Sequence, residues 1–206
     1  MRVRRPAENQ ELNDGPTTTP RLAASLIVLR ESGAGPEVLL VKRNPAARFM
    51  GGAWVFPGGA VHRDETPQQA ALRKLGEEAG ISIDGRDAAA LVAFSRWITP
   101  PEVKLRFDTF FFVAEAPAGA AARPDGEECV DALWARPEDA LDRFDRGELQ
   151  LVFPTIKHLE QLAGAPSVGA LVAAAGAREV TPVEPRIVVA DGDPQVVLPG
   201  EPGYDD

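Results

Sequence analysis

The stretch FPGGAVHRDETPQQAALRKLGEEAGI, Phe56–Ile81, constrains this chain more than any other, because it spells both ends of one helix and the bend leading into it. Thr66 can cap, Pro67 suits the first helical position, and Gln69 can reach back to complete a capping box. Gly80 can take the left-handed conformation that closes the helix, so the pattern predicts a helix over Pro67–Ala79. At about 100° per residue, Leu72, Leu75 and Ala79 share one face, and Glu77 and Glu78 are expected on the other, on either side of Lys74. Gly76, inside the helix, costs about 1 kcal/mol against alanine. Ahead of the helix, the turn at Gly58 and Gly59 lets the backbone approach its surroundings closely.

The rest of the chain reads as short β-rich runs mixed with a few helices. Residues 22–30 and 37–43 form a hairpin pattern around ESGAGP, and ALVAFSRWI and RFDTFFFVAE form a second pair around TPPEVKL. VDALWA is a further candidate strand. Helices are expected near Pro137, near Pro154 and, more weakly, over SVGALVAAAG. Strand pairs mixed with helices imply an α+β or mixed α/β sandwich and not a regular βαβ winding. The 206 residues, 44% hydrophobic and 26% charged, suit one domain with a real core. We expect residues 1–20 as a disordered arm, 21–165 as the domain, and 166–206 as a C-terminal helix with a Pro/Gly-rich tail. The β-prone pieces between Val180 and Tyr204 can pair within the chain or across a homodimer.

Composition narrows the partners. The formal net charge of −9 argues against a nucleic-acid polymer, whose binding depends on Lys and Arg displacing counterions. The single cysteine, Cys129, leaves no disulfide framework and suits a reducing cytoplasm. No apolar run approaches the roughly 20 residues of a membrane span, and no apolar stretch follows the N-terminal arginines.

Adjacent carboxylates on a helix usually mark only a solvated face. Here they belong to a longer pattern: Gly59, five residues, Glu65, seven residues, Arg73, then Leu75, Glu77, Glu78, Gly80 and Ile81. This resembles the box of the Nudix hydrolase family, and with the flanking strand pairs the resemblance covers about residues 20–165. It implies a Nudix-type α/β/α sandwich with a mixed β-sheet, and a metal-dependent hydrolase that cleaves the diphosphate bond of a nucleoside diphosphate derivative. A diphosphate would be repelled by carboxylates alone, so hard divalent ions must stand between them, and Mg²⁺ or Mn²⁺ fits oxygen ligands best. The resemblance implies Gly58 (through its carbonyl), Glu77 and Glu78 as metal ligands, and Glu65 with Arg73 as an orienting ion pair.

One position departs from the family pattern. Where the box has a glutamate after the arginine, this chain has Lys74, which stands at i,i+3 to Glu77 and i,i+4 to Glu78 and can reach both. A cation there competes with metal. Three accounts remain open: an enzyme that works with Glu77, Glu78 and a loop acid; an enzyme that is weak or selective for other conditions; or a nucleotide-binding module that does not hydrolyse. The loop PDGEECVDALW offers a replacement acid, with Glu128 as the first candidate for ligand or general base and Asp125 as the second.

Upstream, LLVKRNPAARFMGGAWVFPGG resembles the additional motif of the coenzyme A diphosphatase branch of the family, with Val41 and Asn44 departing from it. That likeness implies coenzyme A or an acyl derivative as substrate, cleaved to 3′,5′-ADP and 4′-phosphopantetheine. Arg43 and Arg48 are candidates to hold an extra phosphate, with Phe56 beside them at the turn. Phe49, Trp54, Trp97 and Phe107 are candidate walls, each of which also suits a core. His62 is expected in the loop after the glycine turn and His158 on a helix surface.

Overall fold

The computed structural model describes residues 11–83, 91–190 and 193–205. At its centre lies β1 (Arg21–Ser32), flanked by β2 (Gly35–Arg43) antiparallel and β6 (Phe107–Glu115) parallel. Being paired on both sides and covered on both faces, β1 buries the continuous run Ala23–Leu29 and lacks the in-out alternation of a half-exposed strand. Beyond β6 lies β5 (Val92–Ile98), antiparallel, with a register shift between Ala93 and Ser95. On the other side β2 pairs with β3 (Trp54–Val55) and with β7 (Cys129–Ala135). The sheet is therefore mixed, as expected.

The glycine stretch is not simply a turn. Gly58–Ala60 forms β4 and pairs with β1, with Gly58 opposite Ser25 and Gly59 opposite Ala24. A Cβ on Gly58 would lie 2.6 Å from the Ala24 carbonyl oxygen, so only glycine allows this approach.

Helix α1 (Pro67–Ala79) has the predicted ends: Thr66 accepts from the Gln69 amide, the Gln69 side chain accepts from the Thr66 amide, and Gly80 has φ of 64°. It packs Ala70, Ala71, Leu75 and Ala79 on one face of the sheet, against Leu26, Val28, Leu39 and Phe112. The opposite face carries α2 (Pro137–Asp145), α3 (Phe153–Leu162) and α4 (Val168–Gly176). These three share one apolar cluster with Ile27, Leu29, Val38, Leu40 and Val113. The result is an α+β sandwich with helices on both faces.

Both ends flanking the expected domain make contacts with it. Residues 1–10 of the expected arm lie outside the described residues, but 11–20 are laid along the 100–106 loop: Asn13 donates from its amide to the Glu102 carbonyl at 2.7 Å, and Arg106 donates to the Thr18 carbonyl at 2.7 Å. Buried backbone and guanidinium donors must find acceptors, and this segment supplies them. At the other end, the expected C-terminal helix, α4, contributes Val168, Leu171 and Ala175 to the main core. The tail folds back on its own chain. Its β8 (Pro182–Val183) joins the sheet edge parallel to β5, Glu184 pairs with the buried Arg106, and Arg186 pairs with Glu102 at 2.7 Å. A separate hairpin, β9 (Arg186–Ala190) and β10 (Asp193–Val197), follows. Among the described residues no helix is long and apolar enough to cross a membrane.

Candidate active site

A cleft of about 920 Å³ runs from the C-terminal half of α1, past β4, to the ends of β6 and α3. Its acidic end is lined by Arg73, Lys74, Glu77, Glu78, Glu127 and Glu128, and its apolar end by Phe49, Met50, Phe107 and Phe111. A smaller recess of about 90 Å³ shares Met50, Thr109 and Phe111 with the cleft and is also lined by Trp97 and by Pro185, Ile187 and Val196 of the C-terminal tail.

Arg73 braces the acidic end. Its guanidinium grips Glu65 with two hydrogen bonds, at 2.6 and 3.1 Å, reaches Glu77 at 3.1 Å, and donates to the Ala60 carbonyl at 3.1 Å. It thus ties the helix to β4 and to the loop between them. The fork geometry suits a planar guanidinium and would not survive replacement by lysine. The Arg73 hydrogen bonds hold the Glu65 carboxyl down to about 2. Reciprocally, Glu65 raises the arginine, against the opposing effect of burial.

Lys74 and Glu78 are not on a free face. Both are buried, with Glu78 only 1% exposed. Position 78 lies about 60° around the helix from Leu75 and position 74 about 100°, so both flank the packing stripe where the sheet and β4 cover them. Glu78 accepts from the Gly58 amide at 2.9 Å through Oε2. Its Oε1 stands 3.1 Å from Lys74 Nζ but accepts no hydrogen bond, so that link is ionic without being directional. The same ammonium lies 3.1 Å from Glu77 and donates to Glu128. Burial works against the Lys74 charge, but Glu128, Glu78 and Glu77 outweigh it and hold the ammonium above its usual pKa. Glu77 is pushed up by burial but ends below the usual range because Lys74 and Arg73 pull harder. For Glu78 burial wins over Lys74 and the Gly58 amide, and its pKa rises.

The acidic loop is held from two sides. Asp125 Oδ1 accepts from the amides of Glu127, Glu128 and Cys129 at 2.6 to 3.1 Å, which makes it the organiser of the turn that presents Glu128. Asn44 donates from its side chain to the Glu127 carbonyl at 2.8 Å and from its amide to the Glu128 carbonyl at 2.9 Å. In the sequence, Asn44 stands out only as a departure from a motif. Its role comes from the pairing of Arg43 with Cys129 across β2 and β7, which no local signal announces.

The other expected residues divide. Arg43 lines the cleft and donates to the Phe49 carbonyl at 3.1 Å. Arg48 is exposed in the following turn and is not among the residues lining the cleft. Phe56 lines the cleft but is 3% exposed, with its ring 6.0 Å from His158, so most of it belongs to the core. Phe49 and Phe107 both line the cleft with their rings paired at 5.6 Å, whereas Trp54 is buried in the core cluster. Arg21, Thr109 and Phe111 also line the cleft without any warning from the sequence. His62 is exposed near Glu65, as expected. His158 is not on a surface: it is fully buried among Phe56, Phe94, Trp97 and Phe111, with Nε2 at 2.7 Å from Ser95 Oγ. The periodicity of α3 puts position 158 on the packing side with Thr155, Ile156, Leu159 and Leu162.

Three carboxylates converging on one point are the right chemistry for a hard cation. That point is filled by the ammonium of Lys74, and among the described residues no group of acids, histidines or cysteines is arranged to hold a metal ion. With Lys74 in place, the residues hold an internal cation and do not fit a divalent one. At Gly58 the observed contact to the acids is made by the amide donor.

A mixed-sheet sandwich with an acid-bearing helix beside a glycine strand defines the fold of diphosphate hydrolases of the Nudix type. The NUDIX domain family matches residues 19–153, and the chain belongs to that family. A NUDIX hydrolase from Alicyclobacillus acidocaldarius is 29% identical, with a TM-score of 0.66 over 76% of this chain and 96% of that one. The NUDIX domain of Shewanella oneidensis NrtR, solved with ADP ribose, shares the fold at 20% identity and a TM-score of 0.56, over 70% of this chain and 86% of that one. Among curated proteins, an 8-oxo-dGTP diphosphatase from Proteus vulgaris is 47% identical over 45 residues, 22% of this chain and 40% of that protein. The NAD-capped RNA hydrolase NudC of Stutzerimonas stutzeri is 32% identical over 115 residues, 56% of this chain and 37% of that protein. The chain thus spans about 40% of the length of these curated relatives.

Proposed function

We propose that the chain is a pyrophosphohydrolase that cleaves the diphosphate bridge of a nucleoside diphosphate linked to a second group, with coenzyme A or an acyl derivative as the substrate. The observation that carries this reading is one continuous cleft joining Arg43 and the acidic end of α1 to the Phe49 and Phe107 pair. The bridge would lie at the acidic end and the base or pantetheine arm at the aromatic end, with Arg43 against a phosphate. Of the acids around Lys74, Glu128 is the most exposed, at 60% of its side chain, and this supports it as the group that takes a proton from an attacking water. Arg73 acts as a positioning residue that keeps Glu77 and β4 in register. The family's Mg²⁺ or Mn²⁺, held by Gly58, Glu77 and Glu78, would enter only if Lys74 gave up its place.

A second reading is favoured by the ammonium that engages Glu77, Glu78 and Glu128 at once: a nucleotide-binding module with impaired hydrolysis. One panel separates the two. Coenzyme A, ADP-ribose, 8-oxo-dGTP and a dinucleoside polyphosphate are incubated with Mg²⁺ and with Mn²⁺, using the parent chain and Lys74→Glu. Turnover of coenzyme A by the parent supports the first reading, and turnover only by the variant supports the second. An 8-oxo-dGTP preference would displace coenzyme A as substrate and leave the reaction class in place.

A further inference from the structure

The stem of Lys74 is threaded, not draped. A Cβ on Gly59 would lie 2.9 Å from Lys74 Cε and 3.2 Å from Cδ, so the bare glycine backbone forms one wall of the channel through which the side chain reaches the acids. At the channel's end the ammonium meets carboxylates from two separate parts of the chain: Glu77 and Glu78 on the helix, and Glu128 on a loop that Asp125 and Asn44 hold in place. The side chain is 9% exposed and Glu78 is 1% exposed, so these charges share little water. Arg73 holds the other side of Glu77, and Arg43 adds positive potential at Glu78.

We infer that Lys74 is a tethered cation that replaces a divalent ion at the point where Glu77, Glu78 and Glu128 converge, so that the folded site is complete without metal and excludes it there. The inference rests on the cleft being the reaction site of the proposed function, but its physical content concerns charge and stability. Removing the ammonium leaves a sealed carboxylate without its counter-ion beside two others, which costs stability unless another cation arrives. A cation that binds only the folded state then restores what was lost.

The test compares the parent with Lys74→Met by thermal unfolding and by Mn²⁺ titration followed by electron paramagnetic resonance. In chelator, the variant is expected to melt roughly 5–10 °C below the parent. Adding about 10 mM Mg²⁺ should raise the variant by at least about 4 °C and move the parent by less than about 1 °C. Mn²⁺ should bind the variant at least about tenfold more tightly than the parent, a gain of roughly 1.4 kcal/mol. Equal Mn²⁺ affinity in the two proteins, or an equal Mg²⁺ response in melting, overturns the inference. If Lys74→Met does not fold in chelator, refolding with Mg²⁺ present supports it and failure to refold in either condition overturns it. Tight Mn²⁺ binding by the parent alone, with a dissociation constant below about 10 μM, is sufficient to overturn it. Because none of these readouts needs turnover, a negative hydrolysis panel sinks the functional reading and leaves this one intact.

Discussion

The two faces of the central sheet each bury a titratable side chain and meet its cost in opposite ways. On the α1 face, Lys74 is held as a cation against the buried Glu78, with Glu77, Glu128 and the Gly58 amide completing a cage that opens on the cleft. On the three-helix face, His158 is sealed among four aromatic rings with one hydroxyl partner, and burial with the nearby Arg178 drives its pKa down to about 3. The first solution keeps charge where a phosphate could meet it; the second removes charge and makes the ring a packing unit. Net charge alone could not have distinguished them, since lysine and histidine side chains are both cations at mildly acid pH in water.

On the aromatic side the contrast is broken by removing the ring. His158→Ala should leave a void between Phe94, Trp97 and Phe111 and lower stability by about 3 kcal/mol, read by urea denaturation with unchanged slope. A loss under about 1 kcal/mol would mean that the ring is not a packing unit. The next largest effect is pH. A histidine whose folded pKa is depressed stabilises the protein fully above its unfolded pKa of 6.5, and that contribution is lost as pH falls from there through the folded value of about 3. Between pH 7.5 and 5 the loss is on the order of 2 kcal/mol, and His158→Phe should flatten it. Glu78, with its pKa raised, works in the opposite direction, and Glu65, lowered to about 2, matters only below its unfolded 4.5, so the variant isolates the histidine.

On the α1 side, away from Lys74 itself, the effects are smaller. Thr66→Ala removes the cap that fixes the helix start and should cost about 1 kcal/mol by the same denaturation measurement. Glu128→Gln removes only the exposed corner of the cage, so its stability cost should stay below about 1 kcal/mol. If Glu128 takes the proton, the same variant should lower kcat far more than it changes KM; parallel changes in both would dispose of that assignment. The ordering itself is a test. Should Glu128→Gln prove costlier than His158→Ala, the cage and not the aromatic cluster would be the firmer part of the fold.

Much of this was legible from residue order. The capping box of Thr66 and Gln69, the stop at Gly80, the hairpin of β1 and β2 and the helix starts at prolines all depend on neighbours within a few positions, and the structure has them where the chain spells them. So does the reach of Lys74 to Glu77 and Glu78, because i,i+3 and i,i+4 spacing is a property of any helix. The Glu65 and Arg73 pair was legible only through family resemblance, since eight intervening residues cross a loop.

Sequence alone thus determined the local elements and the set of acids and cations available to the cleft. Tertiary structure decided which of them are buried and which meet. The approach of β4 to β1 made Gly58 obligatory, the sheet covered Glu78, the β2 and β7 register brought Asn44 to the acidic loop and Glu128 to Lys74, and α3 turned His158 inward. The physical reason is that side-chain burial and long-range charge pairing depend on distances between segments far apart in the chain, and periodicity carries no record of those distances.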